Sequence, residues 1–293
     1  MSLPAFFNPL KFVSTHAEEP SSSDKLLVFE SQSYSIAHPT KTSIEVDIAS
    51  VVNNNEISDK SLFITGAGED SLLRLDNVLA VADGVGGWAF HQNGNSALYS
   101  RLLVHFLAKR LPLDKKDGIY FDIQKAIRKA HEDTNKKEIM GSSTLCLCAL
   151  EGNKMTVANV GDSGFILVRD GEVVLHSSEQ TIGFNCPNQL GPNPNDTHPC
   201  DFYSTSVIPG DTVVLFTDGV SDNMFKEEIA SIIRGMTSTK NAAETIAKMA
   251  KNLSESSRKS PFQISASESG IEFDGGKPDD ITVIVGVVSE KNL

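Results

Sequence analysis

At four widely separated places in this chain an apolar run meets an aspartate set beside a glycine or a second acid. The stretches are Gly68-Glu69-Asp70, Val81-Ala82-Asp83-Gly84-Val85-Gly86-Gly87-Trp88, Leu215-Phe216-Thr217-Asp218-Gly219 and Lys277-Pro278-Asp279-Asp280-Ile281-Thr282. Runs such as 77–82 and 212–217 are apolar and β-branched enough to be buried strands. An acid where such a strand stops lies at the rim of the core, where an unpaired charge is costly. One Asp-Gly after a strand is ordinarily a turn. Four acids in the same context point instead to a shared cation, and a hard-metal site is the leading expectation.

The net charge of −12 argues against nucleic acid and against anionic membrane surfaces as partners, since both require a basic face. An acidic chain can still act on phosphate if metal ions supply the positive field locally. The 293 residues suffice for one large core, and no Pro/Gly/Ser-rich linker divides the periodic segments. Cys146, Cys148, Cys186 and Cys200 are too few and too irregular for a disulfide scaffold, and no Cys-x-x-Cys pair suggests zinc. Cys146 and Cys148 alternate with Leu145 and Leu147, so both thiols are expected on one buried face. No stretch approaches a membrane span. Residues 1–40 are expected to be a tail and 41–293 the folded domain. A transit peptide should be rich in arginine and poor in acids, so the first 24 residues are a weak candidate for one, and a disordered or loosely docked tail is the expectation.

Strands are expected at 43–48, 61–64, 77–82, 143–150, 155–160, 165–168, 172–176, 202–207, 212–217 and 281–288. Asp170-Gly171 signals a type I′ hairpin, which needs positive φ at both turn positions. Asn95 or Ser96 can cap a helix reaching Leu111, with Leu98, Leu102, Leu103, Phe106 and Leu107 at helical spacing. A second helix is expected over 121–139, and two shorter ones over 226–253 with a break near Gly235. The loop 177–201 has no period and is long enough to be functional. Hairpins plus long helices give a layered α+β fold with helices outside the sheets.

A site with two metal ions for phosphoester hydrolysis needs anionic oxygen ligands, a bridging carboxylate and open positions for water. Two such ions turn a bridging water into hydroxide near neutral pH and neutralise the phosphoryl oxygens during in-line attack. Oxygen-only ligation selects magnesium or manganese. Asp83 is the bridging candidate, and Gly84 can offer its carbonyl because the backbone approaches closely there. Asp218 and Asp279 complete the shell of the second ion, and Glu69 or Asp70 holds a coordinated water.

From 65 to 288 the chain resembles the metal-dependent serine/threonine protein phosphatases of type 2C. It is most similar to their small branch in fungal and animal mitochondria and in plants. Asp83-Gly84-Val85-Gly86-Gly87-Trp88 resembles that branch's variant of an Asp-Gly-His-Gly-Gly motif. Gly141-Ser142-Ser143-Thr144, Ala158-Asn159-Val160-Gly161-Asp162-Ser163-Gly164-Phe165, Thr217-Asp218-Gly219 with Asp222-Asn223-Met224, and Gly275-Gly276-Lys277-Pro278-Asp279-Asp280-Ile281-Thr282 follow in order. The branch's loop shows as Glu179-Gln180, Phe184-Asn185, Pro187 and Gln189-Leu190.

The resemblance implies two antiparallel sheets forming a β-sandwich flanked by helices, in α/β/β/α layers, with the metals at one end. It implies two Mg2+ or Mn2+ ions and a weaker third one at Asp162, although Asp162-Ser163-Gly164 also suits a tight turn. Asp83 and Asp218 are the expected catalytic carboxylates, and the expected reaction is dephosphorylation of phosphoserine and phosphothreonine in proteins. A monomer acting on phosphoprotein substrates is expected, mitochondrial by the resemblance or alternatively cytoplasmic. Val85 stands where many relatives carry histidine, and Thr65 where a phosphate-binding arginine is expected. Arg74 and Arg101 are possible phosphate donors in its place, although each reads rather as a solvated surface charge, and His91 is a candidate replacement acid that reads rather as an exposed loop residue. The rival is a weakly active or inactive phosphatase fold serving as a binding module. A chymotrypsin-like protease, suggested by Gly161-Asp162-Ser163-Gly164, lacks the accompanying features. Cysteine-based and calcineurin-type phosphatase motifs are absent.

Overall fold

A strand that is apolar on both faces must be covered twice, and the central strands of this protein are. In the computed structural model, which describes residues 11–12, 25–44, 46–53, 64–111, 122–192 and 200–292, these strands form two stacked sheets. The first sheet is built from β1 (Lys11–Phe12), β3 (Ile64–Thr65), β4 (Ser71–Arg74), β5 (Val78–Ala82), β6 (Leu145–Glu151), β7 (Lys154–Val160) and β12 (Asp201–Ser206). Its order is β1-β12-β7-β6-β5-β4-β3, antiparallel except where the short β1 joins β12. The second contains β2 (Lys25–Ile36), β8 (Gly164–Arg169), β9 (Glu172–His176), β13 (Thr212–Phe216) and β14 (Ile281–Asn292). Its order is β2-β14-β13-β8-β9, antiparallel throughout. A small hairpin, β10 (Thr181–Gly183) with β11 (Cys186–Pro187), stands apart.

Alternation along the strands divides the core into three layers. Leu145, Leu147 and Ala149 of β6 face α1 (Ser96–Arg110) and α2 (Ile123–Asn135), whereas Cys146, Cys148 and Leu150 face the other sheet. The two thiols therefore share one buried face, as expected. On β13, Val213 and Leu215 enter the space between the sheets. Val214 and Phe216 pack toward α4 (Lys226–Arg234) and α5 (Thr239–Ser254). The layers are helix, sheet, sheet and helix. Two shorter helices, α3 (Asp218–Ser221) and α6 (Pro261–Glu268), border one end of the sandwich.

Local signals agree with local structure. Asn95 caps α1 by accepting the Leu98 N–H at 2.9 Å, and Asp122 caps α2 through Lys125 N–H at 2.9 Å. Asp170 and Gly171 both take positive φ, 52° and 79°, between β8 and β9.

Three differences carry physical reasons. Lys25–Ile36, inside the expected tail, is a twelve-residue edge strand paired with β14 along its whole length. Its alternating Ser and Gln residues suit an edge and conceal it in sequence. Residues 43–48 make no strand over their described part, because the Asp47 carboxylate accepts the Ala49 N–H at 2.9 Å and caps a 3-10 turn, Ile48–Ser50. The short β4, α3 and α6 have too little periodic pattern to be expected from sequence. Residues 45, 61–63 and 193–199, and residues 1–24 apart from 11–12, lie outside the described residues.

Candidate metal centre

The registers bring every expected acid to one end of the sandwich. Ser71 pairs with Ala82, so Asp70 before β4 and Asp83 after β5 are neighbours across that pair. Phe216 pairs with both Gly164 and Val283, which places Asp218, Asp162 and Asp279 at the same end of the second sheet. Asp83, Asp162, Asp218 and Asp279 line one cavity of about 440 Å³, together with Gly84 and Val85. Glu69 and Asp70 lie behind it, nearly or fully buried.

Backbone close approach explains the glycines. A Cβ on Gly219 would lie 2.0 Å from the Asp280 carbonyl oxygen, and one on Gly84 2.7 Å from that of Ser96. Gly84 donates its N–H to the Glu69 carbonyl at 3.2 Å, and Asp83 donates to Thr144 Oγ1 at 3.1 Å. The Asp83 carbonyl in turn accepts from Thr144 N–H at 2.9 Å. The backbone at the Asp-Gly step is thus fixed before any ligand arrives.

The carboxylates differ in how they are satisfied. Asp70 accepts from Thr217 Oγ1 at 2.9 Å through one oxygen, and its other oxygen is buried without a donor. Asp218 receives the Lys277 ammonium at 2.6 Å on one oxygen, and its Oδ1 is likewise buried without a partner. Asp280 is different: His38 N–H donates to one oxygen at 2.7 Å, and Glu69 N–H at 2.9 Å with Lys41 at 3.1 Å to the other. Asp280 is therefore a structural acid that ties three segments together.

Two ammonium groups stand among these acids. Lys277 contacts Asp218 at 2.6 Å, Asp222 at 2.7 Å and Asp279 at 3.3 Å. Lys41 contacts Glu69 at 2.6 Å, Asp280 at 3.1 Å and Asp279 at 3.6 Å. Among the described residues no three acids are close enough to hold an ion as the side chains lie. Lys41 and Lys277 lie between them. The donor set still fits hard divalent ions: it is all oxygen, and two buried carboxylate oxygens have no donor.

Crowding shifts the acids. Burial, then the charge of Asp218, pushes the Asp83 carboxyl well above its usual range. Burial, then Asp218, raises Asp162 to about 8. Burial opposes ionisation of Asp218 too, but the charge and hydrogen bond of Lys277 hold it below its ordinary value. Asp222 and Asp279 are both raised, chiefly by burial.

Asp222 is a site residue that sequence reasoning had placed only within a motif. Its clue was the Asp-Asn-Met triplet itself. Asn223 explains the geometry: its amide bonds the Gly219 and Lys277 carbonyls, both at 2.9 Å, and accepts the Lys277 N–H at 2.8 Å.

The arginines depart from expectation. Arg74 donates to the Ser31 carbonyl and so faces β2. Arg101 is not a solvated charge, because its Nε is buried without a partner and burial lowers its pKa. It packs on the backbone near Gly66 and does not line the cavity. His91 is exposed, its ring tilted against that of Trp88 at 5.1 Å between centroids. Ser163 is buried and bonded to Thr144 at 2.7 Å, which removes it as a nucleophile.

The described part of the loop 177–201 forms one wall of the site. Gln180 exchanges hydrogen bonds with Gly161 at 3.0 Å each way, and Leu190 bridges to Ser143. Ser142 links Trp88 at 2.6 Å to Gln189 at 2.5 Å. Asn185, Cys186, Pro187 and Gln189 reach the cavity.

Compared with known proteins, residues 68–256 match the family model described as Protein phosphatase 2C. The chain is 37% identical over 231 residues to the probable protein phosphatase 2C 80 of Arabidopsis thaliana, covering 76% of this chain and 55% of that one. It is 35% identical over 253 residues to the protein phosphatase PTC7 homolog fig of Drosophila melanogaster, covering 77% and 78%. The chain thus spans about half the length of the plant relatives it matches. The X-ray structure of the photosystem II phosphatase PBCP superposes with a TM-score of 0.71 at 29% identity, over 89% of this chain and 99% of that one. The catalytic domain of the serine threonine protein phosphatase PstP, solved with 2 manganese ions, shares the fold at 19% identity and a TM-score of 0.59, over 89% and 99%.

Proposed function

The chain belongs to the protein phosphatase 2C family, and from that premise we propose that it hydrolyses phosphoserine and phosphothreonine in proteins with two divalent ions. The observation that carries this is the convergence of Asp83, Asp162, Asp218 and Asp279 on one cavity, with Asp218 Oδ1 buried and unpartnered. Asp83 would bridge the two ions, with the Gly84 carbonyl beside it. Asp218 and Asp279 would hold the second ion, and Glu69 and Asp70 a water on the first. Asp162 would hold a weaker third ion. Bound there, magnesium or manganese supplies a water acidic enough to attack at neutral pH and charge to balance the phosphoryl oxygens.

The chain's own residues do the rest. Thr144 fixes the Asp83 backbone, and Thr217 orients Asp70. Asn223 sets the loop that delivers Asp279. The 177–192 wall leaves the cavity open on one side for a phosphorylated segment of protein. Leaving-group protonation cannot come from Val85, and no described histidine lines the cavity, so the proton must come from water or from another lining side chain. A mitochondrial location, supported by the likeness to the PTC7 homologs, and a monomer complete the proposal. No described helix is long and apolar enough to cross a membrane.

The test is manganese-dependent hydrolysis of a small aryl phosphate and of a phosphothreonine peptide. Asp83→Asn and Asp218→Asn should each lower kcat by about a hundredfold or more, consistent with loss of charge that stabilises a transition state. Equal, negligible turnover by wild type and both variants, with a partner protein still bound, would establish the binding-module alternative.

A further inference from the structure

Among the described residues, the two large apolar side chains most open to water belong to elements that frame the metal cavity. Phe90 is 94% accessible and Ile182 63%, against 46% for the next, Ile208. Phe90 lines the cavity itself. Ile182 lies on the hairpin that contributes Cys186 and Pro187 to the same lining. An isolated apolar side chain on a surface needs no explanation. A phenyl ring almost wholly in water on the wall of an acid-lined cavity is a different case, because the molecule that enters can cover it.

The ring is not exposed for want of a fixed backbone. Phe90 ends the 3-10 turn Gly86–Phe90, which is held on both sides of it. At the start, Val85 donates its N–H to the Ser142 carbonyl at 3.0 Å, and its own carbonyl accepts from Ser96 Oγ at 2.7 Å. Further on, the Trp88 indole N–H donates to Ser142 Oγ at 2.6 Å, and the Trp88 carbonyl accepts the His91 N–H at 2.9 Å. Trp88 and His91 thus pin the chain on either side of Phe90, whose ring is presented to solvent. A side chain placed in advance binds at lower entropic cost than one that must first be ordered.

The cavity therefore has two natures. Its acids suit divalent ions that receive a phosphate, whereas Val85, Phe90 and Pro187 give it apolar surface. A ligand matched to both carries a phosphate and, a short distance away, an apolar group. Phosphoserine and phosphothreonine have no large apolar group of their own, so a neighbouring residue of the polypeptide must supply it. Extended chain advances about 3.3 Å per residue, which leaves only residues close to the phosphorylated one within reach of the wall.

We propose that Phe90 is a specificity-determining residue: it receives a large apolar side chain, such as leucine, lying within two positions of the phosphorylated residue in the substrate protein. The proposal rests on the phosphatase reading above and deepens it by naming the sequence around the phosphate. The contact strengthens recognition of the polypeptide and takes no part in the hydrolysis itself.

The test uses phosphothreonine peptides that carry either Leu or Gly at each of the two positions on either side of the phosphothreonine in turn. Manganese-loaded wild type, Phe90→Ser and Phe90→Leu are compared on them, each checked for folding by circular dichroism. Wild type should favour Leu over Gly at one or more of these positions by about tenfold in kcat/KM, the scale of burying one large apolar side chain against an aromatic anchor. Phe90→Ser should bring that ratio close to one, and Phe90→Leu should keep most of it. The ratio compares two substrates on one protein, so any general change in activity or metal content of a variant cancels. Wild type that hydrolyses Leu and Gly peptides equally overturns the proposal. So does a Leu preference that survives in Phe90→Ser, which would place the apolar contact elsewhere on the wall. Wild type inert toward every peptide sinks the phosphatase reading itself, and this proposal with it.

Discussion

Gly219 shows how little freedom the site leaves at single positions. A Cβ there would lie 2.0 Å from the Asp280 carbonyl oxygen, so the two segments can approach this closely only at a glycine. Gly219→Ala should destabilise the protein by about 1–3 kcal/mol, the range for overpacking, and weaken manganese binding, read by chemical denaturation and calorimetry. A stability change within about 0.5 kcal/mol would show that the turn can shift and that the approach is not required. A second expectation at this scale concerns pH. Asp162 is raised from 3.8 to about 8, and Asp83 is raised in the same sense. Between those limits the metal-free folded state binds protons that the unfolded chain does not. Stability of the metal-free protein should therefore fall as pH rises from about 4 to about 8. Asp218, whose pKa is depressed, acts oppositely, and its contribution is lost only below that window. Thermal melts across the range without metal check the sign, and a rising Tm would refute it.

Among the elements, the hairpin of β10 and β11 is the part most free to tune substrate choice. Its first strand exposes Ile182, 63% accessible, while Asn185 and Cys186 reach the cavity. The core-facing part of the same loop is fixed by Gln180, Gln189 and Leu190. Replacing residues 182–185 by a Gly-Ser linker should lower kcat/KM on a phosphoprotein several-fold more than on a small aryl phosphate. Equal losses on both substrates would mean that the hairpin supports the site and does not choose the substrate. Helices α2, α4 and α5 were legible because each carries an apolar stripe at helical spacing, and α1, buried on nearly every side, through its apolar run behind the Asn95 cap. Strand β2 was not, since its polar alternation acquires meaning only through pairing with β14. The stretch 43–48 erred in the other direction: its composition suits a strand, but no partner strand is present for its described part, and Asp47 makes a cap instead.

For the whole molecule, the decisive interaction is charge gathered at one end of a rigid sandwich. Replacing the lysine-spaced arrangement by bound ions should stabilise the fold, because ions bind the native state and have no preformed site in the unfolded chain. At a hundred times the dissociation constant the gain is about 2.7 kcal/mol. That corresponds to a rise in Tm of roughly 5–10 °C for a chain of this size. Manganese should produce that shift in wild type and not in Asp83→Asn, and a chelator should reverse it. A shift of equal size in the variant would place the ions elsewhere.

The order of acids, glycines and apolar runs along the chain was sufficient to state the family, the layered architecture and the carboxylates that meet in the cleft. These are properties of local pattern: a buried strand needs alternating cover, and an acid at its end marks the rim. What only the folded structure decided are the partners of each charge. Lys41 against Glu69 and Asp280, Lys277 against Asp218 and Asp222, and the burial of Arg101 all join residues far apart in sequence. Electrostatic energy depends on distance and on exclusion of water, and neither quantity exists until the sheets have stacked.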